Sequence, residues 1–111
     1  MTCVFCQIIS GEIATEVLHQ DEEVVAFRDI EPRAPIHILI LPRKHIPSLA
    51  ELEDKAVIEH MVRVAEELAK QEGISGSGYR LVINCGRDGG QVIHHLHMHL
   101  LGGRHLSARM G

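Results

Sequence analysis

Apolar residues at Val4, Phe5, Ile8 and Ile9 fall at helical spacing, and Ser10-Gly11 supplies a stop, so a short helix is expected over Val4–Ile9. Val17–Gln20 and Val24–Arg28 are β-branched or aromatic stretches separated by Asp21-Glu22-Glu23, the pattern of a hairpin with a polar turn. Pro32 and Pro35 cannot donate to a ladder and force a loop. Ile36–Pro42 is nearly continuous in apolar residues, as a strand buried on both faces would be. Between residues 54 and 72, Val57, Ile58, Met61, Val62, Ala65, Leu68 and Ala69 recur at helical spacing, with Asp54 available as a cap and Gly73 just past the end. Ser75-Gly76-Ser77-Gly78 marks a turn, residues 79–84 a strand, and residues 85–90 a glycine-rich connection into a last strand, the two pairing most simply as an antiparallel hairpin. The order predicts an α+β fold: an antiparallel meander sheet with one short and one long helix on one side.

One stretch breaks the rule that polar faces are unspecific. In His95-Leu96-His97-Met98-His99-Leu100-Leu101, three imidazoles alternate with apolar residues. A strand turns successive side chains to opposite faces, so His95, His97 and His99 would share one ledge while Leu96, Met98 and Leu100 enter a core. The plain alternative is the solvated face of an amphipathic strand. Imidazole titrates near neutrality and can serve as base, acid, nucleophile or metal ligand, so a rigid row of three points to chemistry.

Composition narrows the setting. A chain of 111 residues with 45% hydrophobic content makes one domain, residues 1–111, with a core that a partner could enlarge. The longest apolar run is interrupted by His37 and is too short for a bilayer, and no leader pattern is visible, so a soluble, cytoplasmic protein without membrane contact is expected. A net charge of −4 and the lack of a Lys/Arg block argue against nucleic acid as a partner. Three cysteines, two spaced as Cys3-x-x-Cys6, do not form a disulfide framework, and metal is the better reading of the pair. Cys85 reads as a small core residue.

The alternation His-φ-His-φ-His-φ-φ, with φ apolar, preceded by Gly89-Gly90-Gln91 and followed by Gly102-Gly103-Arg104, resembles the signature of the histidine triad (HIT) superfamily. Phe27-Arg28-Asp29-Ile30, Pro32-Arg33-Ala34-Pro35-Ile36-His37, Leu41-Pro42-Arg43-Lys44-His45-Ile46 and Asn84 are similar to the Hint branch, the nucleoside phosphoramidases. The likeness runs from about Phe5 to Arg104. It implies the HIT-like fold, doubled through a two-fold homodimer whose sheets join into one. It also implies a purine nucleotide substrate and hydrolysis through a covalent nucleotidyl-histidine. In that scheme His97 is the nucleophile, His99 binds the phosphate and assists the leaving group, and the His95 carbonyl orients His97. Asn84, Gly89, Gly90 and Gln91 would contact phosphate or leaving group, although the loop also reads as an ordinary hairpin turn. Asp29 would bind the ribose hydroxyls or else cap the following loop. Val4, Phe5, Ile8, Phe27 and Ile30 would form the slot for the base, positions that would otherwise be assigned to core.

The same resemblance completes the metal site. Some members of the superfamily join a cysteine pair to a histidine before the long helix and to the first histidine of the triad, here His45 and His95. Four protein ligands would make such a zinc structural. Val92 departs from the serine common in eukaryotic relatives, the tail from Leu106 lacks an aromatic anchor, and His94 has no assigned role. Two other readings use the same residues: a zinc-stabilised nucleotide-binding module with vestigial catalysis, and a dinucleoside polyphosphate hydrolase. The helix stripe holds more apolar residues than one sheet can cover, which places Met61 and Val64 in a two-fold seam.

Overall fold

The computed structural model describes residues 3–111. Its elements are α1 (Val4–Ile9), β1 (Val17–Gln20), β2 (Val24–Arg28), β3 (Ile36–Pro42), a 3₁₀ turn at Leu49–Glu51, α2 (Ala56–Gln71), β4 (Tyr79–Ile83) and β5 (Met98–Gly102). All neighbouring strands pair antiparallel, in the order β1-β2-β3-β5-β4. The first three strands form the expected meander. The chain then crosses through α2 to place β4 at the edge, and β5 returns into the gap between β3 and β4. The predicted α+β architecture is therefore present, with β4–β5 as the predicted antiparallel pair.

Strand alternation divides the core in two. On one face Val24, Ala26, Ile38, Ile40, Leu96, Met98 and Leu100 pack against Met61, Ala65 and Leu68 of α2. On the other, Val25, Phe27, Leu39 and Leu41 pack with Phe5 of α1. The two helices thus cover opposite faces, not one side, because Val24–Phe27 of β2 and Ile38–Leu41 of β3 are apolar in succession and both of their faces need cover. Each fully buried residue of this kind contributes about 1.5–3 kcal/mol. Cys85 is only half-buried.

α2 starts one residue later than its pattern predicts. Asp54 stands outside it, where Oδ1 accepts the Ala56 N–H at 2.9 Å, and Lys55 occupies the cap position. Gly73, at φ +75°, turns the chain out of the helix, and the Ile74 N–H donates to the Ala69 carbonyl at 2.9 Å. Met61 and Val64 are buried within the chain itself, at 0% and 5% exposure, which removes them from the predicted seam. Ile58 and Val62 of α2 are only half-buried, as are Leu81 and Ile83 of the edge strand β4, all packed against the same core. Among the described residues no helix is long and apolar enough to cross a membrane.

Candidate active site and metal centre

β5 begins only at Met98, so His95 and His97 precede the strand rather than lying within it. Their alternation survives because Leu96 is anchored twice. Its N–H donates to the Ile46 carbonyl at 2.7 Å, and its side chain is buried in the α2 layer with Met98 and Leu100. The imidazoles are left on the α1 face, where the Phe5 ring meets His97 edge-on at 5.0 Å and His95 at 5.9 Å. His99 follows inside β5, between Leu39 of β3 and Val82 of β4.

Partners that can only accept or only donate fix the protons on these rings. His97 Nδ1 is 2.6 Å from the His95 carbonyl and must donate to it, which leaves its Nε2 with a lone pair. His37 Nδ1 accepts the Arg33 N–H at 3.0 Å, so the His37 proton sits on Nε2. That nitrogen is 2.9 Å from His99 Nδ1 and 3.5 Å from Asp29 Oδ2. His99 accepts at Nδ1 and carries its proton on Nε2. Burial lowers His99 to about 4, assisted by His97, His37 and Arg33 and opposed by Asp29. His37 is lowered as well, chiefly by burial. Both rings are neutral at pH 7, and two unlike nitrogens, a lone pair on His97 and an N–H on His99, serve one cavity.

That cavity, of about 570 Å³, is lined by Val4, Phe5, Ile8, Phe27, Asp29, Ile30, Asn84, Gly90, His97 and His99 from the predicted set. Ile30 stands at its mouth, 87% exposed, as does Val92. Asp29 caps the following loop, with Oδ1 accepting the Glu31 N–H at 2.9 Å, while Oδ2 is 3.5 Å from His37 Nε2 and the residue lines the cavity. Gly89, Gln91 and His95 do not line it. The Gln91 carboxamide is committed elsewhere: Oε1 accepts the Gly86 N–H at 2.9 Å, and Nε2 donates to the Pro47 and Ile93 carbonyls at 2.7 and 3.0 Å. The N–H groups of Gly86, Gly90 and Gln91 close hydrogen bonds within the loop. Gly89 must lack a side chain, since a Cβ there would stand 2.3 Å from the Cys85 carbonyl oxygen. Sequence reasoning assigned no role to His37. The available signal was its odd polarity in β3, on the same face as Leu39 and Leu41 and hence toward α1.

His95 belongs to a second constellation. Its Nε2–H donates to the Pro42 carbonyl at 2.8 Å, which leaves Nδ1 unprotonated, 3.6 Å from Cys3 Sγ and 3.7 Å from Cys6 Sγ. His45 Nδ1 lies 3.3 Å from Cys6 Sγ. A tetrahedral zinc, with bonds of about 2.3 Å to sulfur and about 2.0 Å to nitrogen, has sulfur–nitrogen edges of about 3.5 Å. The Cys3, Cys6, His45 and His95 donors lie within 4.8 Å of one another and fit that tetrahedron. Burial and the adjacent Cys3 sulfur push the Cys6 thiol up, a cost that a cation between the sulfurs reverses.

The HIT domain family model matches residues 10–106. The purine nucleoside phosphoramidase of Escherichia coli (strain K12) is 49% identical over 105 residues, which span 93% of this chain and 88% of that one. The HIT family hydrolase from Legionella pneumophila Philadelphia 1 matches with a TM-score of 0.94 at 44% identity, covering 99% of this chain and 100% of that one. A zinc-bound histidine triad family protein from Mycobacterium smegmatis matches with a TM-score of 0.84 at 30% identity, covering 100% and 84%. With the triad placed as above and the family model spanning most of its length, this chain belongs to the HIT domain family.

Proposed function

We propose that the protein hydrolyses purine nucleoside phosphoramidates through a nucleotidyl-His97 intermediate. The observation that carries this reading is the pair of complementary tautomers, a His97 Nε2 lone pair and a His99 Nε2–H serving one cavity. His97 Nε2 attacks the α-phosphorus, and the phosphorus–nitrogen bond of the substrate breaks. His99 Nε2–H donates a hydrogen bond to a phosphate oxygen and offsets the charge gathering there, while the leaving nitrogen departs with a proton drawn from solvent. The positive charge gained by His97, its ring centroid 5.1 Å from that of His99, is supported by the His95 carbonyl, and the His37 N–H holds His99 as the donor tautomer. Water next attacks the phosphorus, loses a proton to solvent and releases the nucleoside monophosphate, which restores the lone pair of His97. The apolar walls Val4, Phe5, Ile8 and Phe27 suit a purine, Asp29 Oδ2 suits a ribose hydroxyl, and the E. coli relative's name points to the same substrate class.

Zinc held by Cys3, Cys6, His45 and His95 would tie α1 to the segment carrying His97. The zinc-bound relative supports this assignment, and a reducing cytoplasm would keep both thiols available as ligands. The exposed edge of β4 together with Ile58 and Val62 supports a two-fold dimer in which the sheets join.

Incubation with an adenosine phosphoramidate, followed by mass spectrometry of the quenched protein, tests the reading. Release of AMP and a transient adduct on His97 are expected. Tight nucleotide binding without turnover would instead identify a binding module, and preference for a dinucleoside polyphosphate would move the protein to that branch.

A further inference from the structure

A second cluster of metal-ligating groups lies where the β1–β2 turn meets α2, and none of its residues lines the catalytic cavity. Asp21 closes the hairpin, with Oδ1 accepting the Glu23 and Val24 N–H groups, each at 2.8 Å. Its other oxygen, Oδ2, is 2.6 Å from His19 Nε2 on β1 and 2.8 Å from His60 Nε2 on α2. On the far side of the His60 ring, Nδ1 stands 3.0 Å from Glu23 Oε1.

This arrangement is unusual for a surface ion pair. Both nitrogens of His60 face carboxylate oxygens, and two imidazoles converge on a single oxygen of Asp21. An Nδ1–H donated to Glu23 orients the ring so that Nε2, which donates to Asp21 without a cation, offers its lone pair when a cation displaces that proton. An outer carboxylate that fixes a histidine tautomer in this way is the usual support of a metal-ligating imidazole. Burial pushes the Asp21 carboxyl up, but hydrogen bonds from His19, from the Glu23 and Val24 N–H groups and from His60 outweigh it, so the anion is maintained well below the usual carboxylate range. Two imidazoles and a carboxylate are a donor set for first-row divalent cations, with remaining positions open to water. Side-chain exposures of 34% for His19, 30% for Asp21 and 38% for His60 give the ligands room to open from hydrogen-bond contact to coordination distance.

We propose that His19, Asp21 and His60 form a peripheral site for a divalent transition-metal cation, with Glu23 orienting His60. The cation pins the hairpin turn to α2, two segments that the chain brings together from 39 residues apart. It is independent of the Cys3/Cys6 centre in position and, having no sulfur ligand, in chemistry.

Titration of Zn²⁺ into the wild-type protein, with calorimetry and Co²⁺ absorption in parallel, tests the site. An equivalent beyond the zinc of the cysteine centre is expected, lost in His60→Gln and in His19→Gln, and weakened about tenfold in Glu23→Gln. Sulfur-to-cobalt absorption, which reports only the cysteine centre, should be unchanged in all three variants. Should His60→Gln fail to fold, His19→Gln on the exposed strand makes the same test. If the cysteine centre binds nothing, the wild type retains only the His19- and His60-dependent equivalent, which still upholds the proposal. A second equivalent that persists in both histidine variants overturns it. So does the absence of any such equivalent at millimolar zinc.

Discussion

His37 Nε2 stands 2.9 Å from His99 Nδ1, diagonally across the β3–β5 pair, and this contact decides which nitrogen of His99 carries a proton into the cavity. His37 touches no reacting atom in the mechanism above. It is a positioning residue, itself held by the Arg33 N–H.

His37→Ala should lower kcat by about a hundredfold, the low end of what a donor to the developing phosphate charge contributes, with KM changed little. His37→Gln, which keeps a donor toward His99, should recover part of the loss. Steady-state kinetics on the three proteins checks this, and a wild-type kcat in His37→Ala, or no recovery in His37→Gln, would detach His37 from the orientation of His99.

His97→Gly should abolish turnover while nucleoside monophosphate binding stays within about 1–2 kcal/mol of wild type, because a nucleophile acts mainly in the transition state. Calorimetry and a turnover assay on the same preparation measure both. Residual wild-type-like turnover would remove His97 from the mechanism.

After dialysis against metal-free buffer, the protein should retain about one zinc per chain, lost in Cys3→Ser or Cys6→Ser. Those variants should unfold at lower temperature and keep much of their chemistry, since the ligands join α1 to the His95 segment without touching substrate. Elemental analysis is the measurement, and metal-free wild type would count against the site.

Stability should fall on acidification. His99 is lowered from 6.5 to about 4, chiefly by burial among His97, His37, Asp29 and Arg33, so between those values the unfolded chain binds a proton that the folded chain refuses. The contribution is fully present above about 6.5, is lost as pH drops toward about 4 and is flat below that. Buried His37 acts in the same direction. Thermal unfolding in His99→Gln should be less sensitive to pH across this window; the wild-type slope in that variant would contradict the assignment.

For the proposed dimer, Val62→Glu should give monomers that keep their fold, because Val62 is only half-buried within one chain. Met61→Glu should unfold the chain instead, since Met61 is fully buried in it. Sedimentation and circular dichroism separate the two, and a wild type that sediments as a monomer at micromolar concentration sinks the interface.

Local periodicity was enough to locate every helix and strand to within a few residues. Helical spacing marked α1 and α2, and alternation marked the histidine ledge, because the backbone repeats of 3.6 and 2 residues are imposed by each segment on itself. The row of triad residues could also be read as chemistry, since a core has no use for three aligned imidazoles. What the pattern could not contain was the choice among faces and partners. α1 went to the face opposite α2 because β2 and β3 are apolar on both sides and each side must be covered. β5 entered between β3 and β4, a pairing that depends on contacts far apart in the chain.

The site divides along the same line. His97 and His99 were legible by alternation, while His37 became part of the site only when β3 was laid beside β5. Gln91 looked available to substrate as a free polar side chain, and the fold spent it on bracing its own loop. Cys3 and Cys6 carry a ligand spacing in the sequence, whereas the sequence alone does not bring His45 and His95 to them. Sequence by itself fixed which residues have the right chemistry and which way each segment alternates. The tertiary structure decided which of them meet, because hydrogen-bond partners, and with them the proton on each imidazole, come from strands and loops that only folding brings together.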